Sequence, residues 1–319
     1  MTRFCTILFL LAAFPPVIAA QQHGGCEERM FPVNVVDARS QQILGLTREQ
    51  FHVELRGQRV NVLSVKFESG AQRILMLVDV SGSMWSDAQQ RELIELVADD
   101  MVSSGPPQAQ LALSTFSDKF ETIVKFGQGR EAVREGILGL NHASKTTSSP
   151  SPSAETALND AILEAADMFG SPETGDIVYV LTDGLDNESK SSTEKVRQYL
   201  EKRNIRLFGS VIHNGRFLPL SMGAADGPEL LGNTAKETGG YSTRLEVDHL
   251  KDSTLGTSDN AVHQLYKLMA SFYLLDIELP TDPDKPRELK LTVANADGSK
   301  KKGTIVLYPQ KIFPCDTTR

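Results

Sequence analysis

The chain has 319 residues, 33 Lys+Arg against 41 Asp+Glu, 40% hydrophobic and 23% charged residues. That composition excludes bulk disorder, a collagen-like chain and a multi-span membrane protein. The formal charge of -8 argues against a protein held to nucleic acid by phosphate neutralisation, which needs a basic face.

Met1, Thr2 and Arg3 supply a short positive start, residues 4–14 an apolar stretch, and Val17, Ile18, Ala19 and Ala20 a small-residue cleavage site before polar Gln21 and Gln22. This pattern predicts a cleaved secretory signal over residues 1–20 and a secreted or periplasmic protein. An uncleaved anchor is the competing reading, but the apolar run is short for a bilayer and Pro15 and Pro16 interrupt its far end. Of the 3 Cys, Cys5 leaves with the signal. Cys26 and Cys315 remain near the two ends, an even pair that suggests one disulfide in an oxidising compartment.

Residues 21–71 alternate and turn like a small β segment. Val33 to Val36 precede a polar turn at 37–42, Phe51 to Leu55 precede a turn at 56–58, and a run from Val60 leads on to Phe67, all read as hairpin strands. At Ile74 the pattern becomes a continuous hydrophobic run through Val78, followed by a Gly/Ser turn and a helical stretch over 87–102. A buried strand feeding a helix opens a βα unit. The alternation continues with strands at 111–116, 120–126, 177–181 and 205–212, and with helices near 130–138, 156–169, 193–203, 229–238 and 260–271. It predicts a doubly wound, mostly parallel α/β sheet with helices on both faces over 72–271. From 272 to 319 the chain returns to β, with strands at 273–279, 288–293 and 304–308 and a turn at Asp297 and Gly298. The two β segments are expected to form one sandwich-like unit, with the α/β domain inserted between them.

The chemistry-bearing signal is Asp79-Val80-Ser81-Gly82-Ser83 at the carboxyl end of the first buried strand. Two further segments join it: Thr156, read as opening a helix, and Asp183, at the end of the second long buried strand. Loops at the carboxyl ends of neighbouring strands converge in a crevice in such sheets. Two carboxylates and three hydroxyls make an all-oxygen set, suited to one hard cation such as Mg2+, Mn2+ or Ca2+. If Ser81, Ser83 and Thr156 bound directly and the two Asp through water, the ion would stay electrophilic and attract an external carboxylate.

These residues resemble the metal-ion-dependent adhesion site of von Willebrand factor type A domains, over about residues 73–271. The resemblance implies a doubly wound sheet and one divalent cation, Mg2+ in the first place, held by Asp79, Ser81, Ser83, Thr156 and Asp183. It implies a protein partner that presents Asp or Glu to that ion. More narrowly, residues 33–67, Thr156-Ala157-Leu158 and Phe272-Tyr273-Leu274-Leu275 are similar to exported bacterial VWFA-related proteins, known chiefly from acidobacteria. Asp276 stands where such proteins commonly have Gly, and a Ser/Pro loop replaces the Gly-rich approach to Thr156.

Asp186 and Asn187 read as a solvated turn, Asp160 as an exposed or first-turn acid favoured by the helix dipole, and Lys300 to Lys302 as a hairpin tip. The six histidines do not cluster, and neither a His-Glu-x-x-His signature nor a Gly-x-Ser-x-Gly elbow occurs. Ser81 and Ser83 have no sequence-adjacent base. The sequence therefore predicts a binding module and not an enzyme, with a cation-independent scaffold and a metal-assisted hydrolase as the competing readings.

Overall fold

The computed structural model describes residues 27–70, 72–145, 155–213, 227–246, 261–279 and 285–314. The expected signal at 1–20 and both Cys26 and Cys315 lie outside them. Among the described residues no helix is long and apolar enough to cross a membrane.

The central sheet has six strands: β5 (Arg73–Asp79), β6 (Gln110–Phe116), β7 (Phe120–Val124), β8 (Ile177–Thr182), β9 (Arg206–His213) and β10 (Ser242–Glu246). Their order is β10-β9-β8-β5-β6-β7, parallel throughout except for β7 at one edge. The helices are α1 (Gly82–Trp85), α2 (Ala88–Ser104), α3 (Arg130–Lys145), α4 (Leu158–Asp167), α5 (Thr193–Arg203), α6 (Gly227–Glu237) and α7 (Ala261–Ala270).

The hydrophobic run of β5 has a geometric cause. Successive side chains of a strand point to opposite faces, so a strand covered on both faces must be apolar at every position. Ile74, Met76 and Val78 pack with α2, α3 and α7, whereas Leu75 and Leu77 pack with α4, α5 and α6. Local signals set helix ends. The Asp87 carboxylate accepts from Gln89 N and Gln90 N ahead of α2, and Asn204 closes α5 at φ 57°.

The flanking strands are β1 (Glu28–Val36), β2 (Phe51–Leu55), β3 (Gln58–Val60), β4 (Val62–Glu68), β11 (Phe272–Glu278), β12 (Arg287–Val293), β13 (Ile305–Leu307) and β14 (Lys311–Ile312). They form two sheets, β13-β1-β11-β4 and β14-β12-β2-β3, each mixing strands from both ends of the chain. One shared core, with Phe31, Val33, Val53, Tyr273, Leu275 and Leu291, lies between them. The α/β block is thus inserted in a β-sandwich.

Two readings of the β segments need correction. Val33 to Val36 is not a hairpin partner of Phe51 to Leu55: β1 pairs antiparallel with β11 and β13, while β2 pairs with β3 across the two-residue loop Arg56-Gly57, both at positive φ. The run from Val60 to Phe67 is not continuous either. It breaks at Asn61, where the chain passes from one sheet to the other and Asn61 binds Glu278 through side chain and backbone. Asp276 lies in β11 at a register shift against β4, and the strand continues through it.

Candidate metal centre

Asp79 ends β5 with its side chain completely buried. Its Oδ1 accepts from Ser81 N at 2.9 Å and its Oδ2 from Thr182 Oγ1 at 2.6 Å. The first bond turns the chain sharply, and Ser81 precedes the single turn of α1. That turn sets Ser81 Oγ 3.1 Å from Ser83 Oγ. The Ser83 side chain favours the anionic form of Asp183, whose Oδ1 accepts from Leu185 N at 3.0 Å. Three of the five sequence-predicted residues, Asp79, Ser81 and Ser83, thus form one chain of contacts, and Asp183 lies near enough for its charge to act on Asp79.

Thr156 enters differently. The helix it was expected to open begins at Leu158 with Ala157 at its cap, so Thr156 lies just before it, 2% exposed. Its N–H donates to Asn187 Oδ1 at 2.7 Å, and its carbonyl accepts from Asn187 N and Glu188 N. Asn187 follows Asp183 by four residues, so the Thr156 segment is stapled to the Asp183 loop. Asp186 accepts from Asn159 N and Ser189 N, and Asp160 accepts from Lys190 N and Ser191 N. These three side chains are therefore structural ties and not merely solvated ones. Asx side chains that bond nearby backbone were the available signal; which backbone they would reach depends on the tertiary approach of two loops.

Electrostatics make the site hungry for positive charge. Burial, reinforced by the charge of Asp183, pushes the Asp79 carboxyl up to about 7, against hydrogen bonds from Ser81 and Thr182 that favour the anion. Burial also raises Asp183, although Leu185 N and Ser83 oppose it. No basic side chain among the described residues contributes to either shift. Two anions crowded in a desolvated crevice lose their mutual repulsion when a cation sits between them. No cluster of three His, Cys, Asp or Glu occurs among the described residues, so these two carboxylates would have to be completed by hydroxyls. Oxygen-only donors fit a hard divalent ion.

Residues 74–185 match the family model described as the von Willebrand factor type A domain. That span holds all five residues, strand β8 and all of β5 but Arg73. Among solved structures, proximal thread matrix protein 1 from the mussel byssus, with a zinc-occupied MIDAS motif, is 21% identical with a TM-score of 0.49, covering 66% of this chain and 49% of that one. BatB from Bacteroides thetaiotaomicron is 16% identical with a TM-score of 0.46, covering 62% and 98%. A von Willebrand factor type A protein from Catenulispora acidiphila is 10% identical with a TM-score of 0.43, covering 92% and 74%. The chain spans about half the length of the mussel protein. The curated proteins contain no match.

Proposed function

We propose that this protein is an exported binding module that captures a protein partner through a divalent cation bridging to the partner's Asp or Glu. The observation that carries the reading is the contact chain Asp79–Ser81–Ser83, with the buried Asp79 carboxyl raised to about 7 beside a second acid, Asp183. The bound ion supplies a Lewis-acidic position open to an external carboxylate. Ser81 and Ser83, with Thr156, offer neutral oxygens, while Asp79 and Asp183 balance the charge. Thr182 holds Asp79 in place, and the Asn187 staple positions the Thr156 segment. Mg2+ suits this hard donor set, with Mn2+ or Ca2+ as the other candidates.

Thermal unfolding in chelator, then with Mg2+, Mn2+ or Ca2+, beside Asp79→Ala, tests the reading. An ion bound only by the folded state at 100 times its dissociation constant stabilises by about 2.7 kcal/mol. A shift in wild type that is absent from Asp79→Ala is the expected outcome. Partner capture that persists unchanged in chelator would count against it.

A further inference from the structure

Next to the metal centre lies a cavity of about 590 Å³ between α4, α5, α6 and the loop after β8, a volume in the range of ligand pockets. Its wall starts one residue beyond Asp183, at Gly184 and Leu185, and one residue beyond Ala157, at Leu158. The two segments that carry Asp183 and Thr156 therefore run from the metal centre directly into this cavity. Its deepest lining is apolar, with Leu158, Ile162 and Leu231 almost fully buried over Val196 and Leu207, and polar side chains, among them Asn159, Asp186 and Thr193, line the rest. Leu230, at its edge, is 45% exposed.

Two segments of the wall are in close backbone contact. Gly184 has φ +84°, and a Cβ there would lie 2.9 Å from Pro228 Cα; a Cβ on Gly227 would lie 2.1 Å from Gly184 O. The Asp183 loop is thus pressed against the start of α6, where any larger residue would displace it. The polar lining is already engaged: Asp186 binds Asn159 N and Ser189 N, and Thr234 Oγ1 donates to Leu230 O. With those oxygens satisfied internally and a carboxylate at the rim, the cavity favours a neutral apolar occupant over a second acid.

Resting on the metal-bridging reading above, the geometry points to a two-point recognition site. The partner's acidic side chain meets the cation, and an apolar side chain of the same loop, adjacent or one residue removed, fills the cavity floored by Leu158, Ile162 and Leu231. In an extended segment residues i and i+2 share a face and lie about 6.6 Å apart, so an apolar side chain one residue removed from the acid faces the wall that starts beside Asp183, and an adjacent one reaches it where the loop turns. The ligand class is an acidic-plus-apolar loop, with leucine-sized side chains preferred.

The test uses capped peptides of four residues in which Asp and Leu are adjacent or separated by one Gly, in both orders, each paired with its Leu→Ala version. Binding to the purified protein in Mg2+ and in chelator is followed by backbone amide shifts. At least one Leu peptide is expected to bind about tenfold more tightly than its Ala partner, the order produced by burying the additional methylene and methyl groups. It should shift the amides of Leu185 and Leu231, and Leu230→Gln, a neutral change at the cavity's exposed edge, should reduce the ratio of Leu-peptide to Ala-peptide affinity. Equal affinity of every Leu and Ala pair, with Mg2+ dependence retained, overturns the cavity's role alone. Loss of Mg2+ dependence for all peptides overturns the metal reading and this inference with it.

Discussion

Thr182 Oγ1 donates to Asp79 Oδ2 at 2.6 Å and accepts from Gly184 N at 3.0 Å, so one hydroxyl ties the ends of the two central strands to the loop that carries Asp183. Asp79 is completely buried, and this bond is one of those that favour its anionic form. Thr182→Val keeps the shape and removes the donor. It is expected to raise the Asp79 pKa further, cost about 1–3 kcal/mol of stability by leaving a buried acceptor short of a partner, and weaken divalent-ion affinity by roughly 10–100-fold. Thr182→Ser should recover most of both. Urea unfolding and a Mg2+ titration measure the two effects, and a Val variant with wild-type ion affinity would remove Thr182 from the positioning role.

On the metal-bridging reading, protonation would oppose ion binding at the same carboxylate. The folded pKa of Asp79, about 7, lies above its ordinary value of 3.8. A raised folded pKa contributes stability that is complete below the unfolded value and is lost as pH rises through the folded one. In chelator, the melting temperature is therefore expected to rise as pH falls from 8 to 5. Glu201, raised by burial to about 7, and the raised Asp183 and Asp176 act in the same direction. Asp79→Asn should flatten part of the slope and Glu201→Gln a separate part. Mg2+ needs the anion, so the melting increment it produces should shrink over the same interval. An increment equal at pH 8 and pH 5.5 would sink the competition.

What the sequence made legible has a common physical basis. Strands β5 and β8 are buried on both faces, so they read as unbroken hydrophobic runs, and the acids at their ends, Asp79 in β5 and Asp183 one residue beyond β8, stand out. Pairing left no such trace. β1 finds its partner β11 some 240 residues away, and alternation identifies a strand without naming its neighbour. β10, Ser242–Glu246, escaped because a half-exposed edge strand with the sequence Ser-Thr-Arg-Leu-Glu carries no apolar run. The roles of Asp160, Asp186 and Asn187 were hidden for another reason: each bonds a backbone about 30 residues away, a contact that exists only once the two loops are side by side.

At the opposite end of β5, Arg73 grips Asp176 with Nε at 2.8 Å and Nη2 at 2.6 Å, and also donates to the carbonyls of Phe169 and Ser171. The Asp176 side chain is 1% exposed. Burial outweighs the attraction of Arg73, so the carboxyl stays above its ordinary pKa despite the fork. Arg73→Met strands that acid and is expected to cost about 3–5 kcal/mol, whereas a coupled Arg73→Met/Asp176→Leu change should cost clearly less. Ion affinity should be unaffected, because this pair lies at the far end of the strand. Denaturant midpoints of the two singles and the double close the cycle, and strictly additive costs would refute the coupling.

Arg206 carries the junction between the inserted block and the sandwich. It is completely buried in β9, donates to the carbonyls of Leu268 and Met269 at 3.2 and 3.3 Å, and lies 4.5 Å from the ring centre of Phe272 and 5.3 Å from that of Phe208. Asn34 of β1 reaches the same helix end, donating to Leu268 O at 2.8 Å and accepting from Arg206 at 3.4 Å. The last carbonyls of a helix have no partner within it, and a cation there also meets the negative end of the helix dipole. Burial lowers the guanidinium pKa only to about 9, so it stays charged at neutral pH. Arg206→Met should therefore leave carbonyls of α7 short of donors and cost about 2–4 kcal/mol. Arg206→Lys should recover less than half, since one ammonium cannot match the planar fork. Because α7 runs into β11 through Ser271, the loosening should appear as faster amide exchange in the last turn of α7 and in β1 together. Faster exchange confined to β9 would show that Arg206 holds its own strand and not the junction.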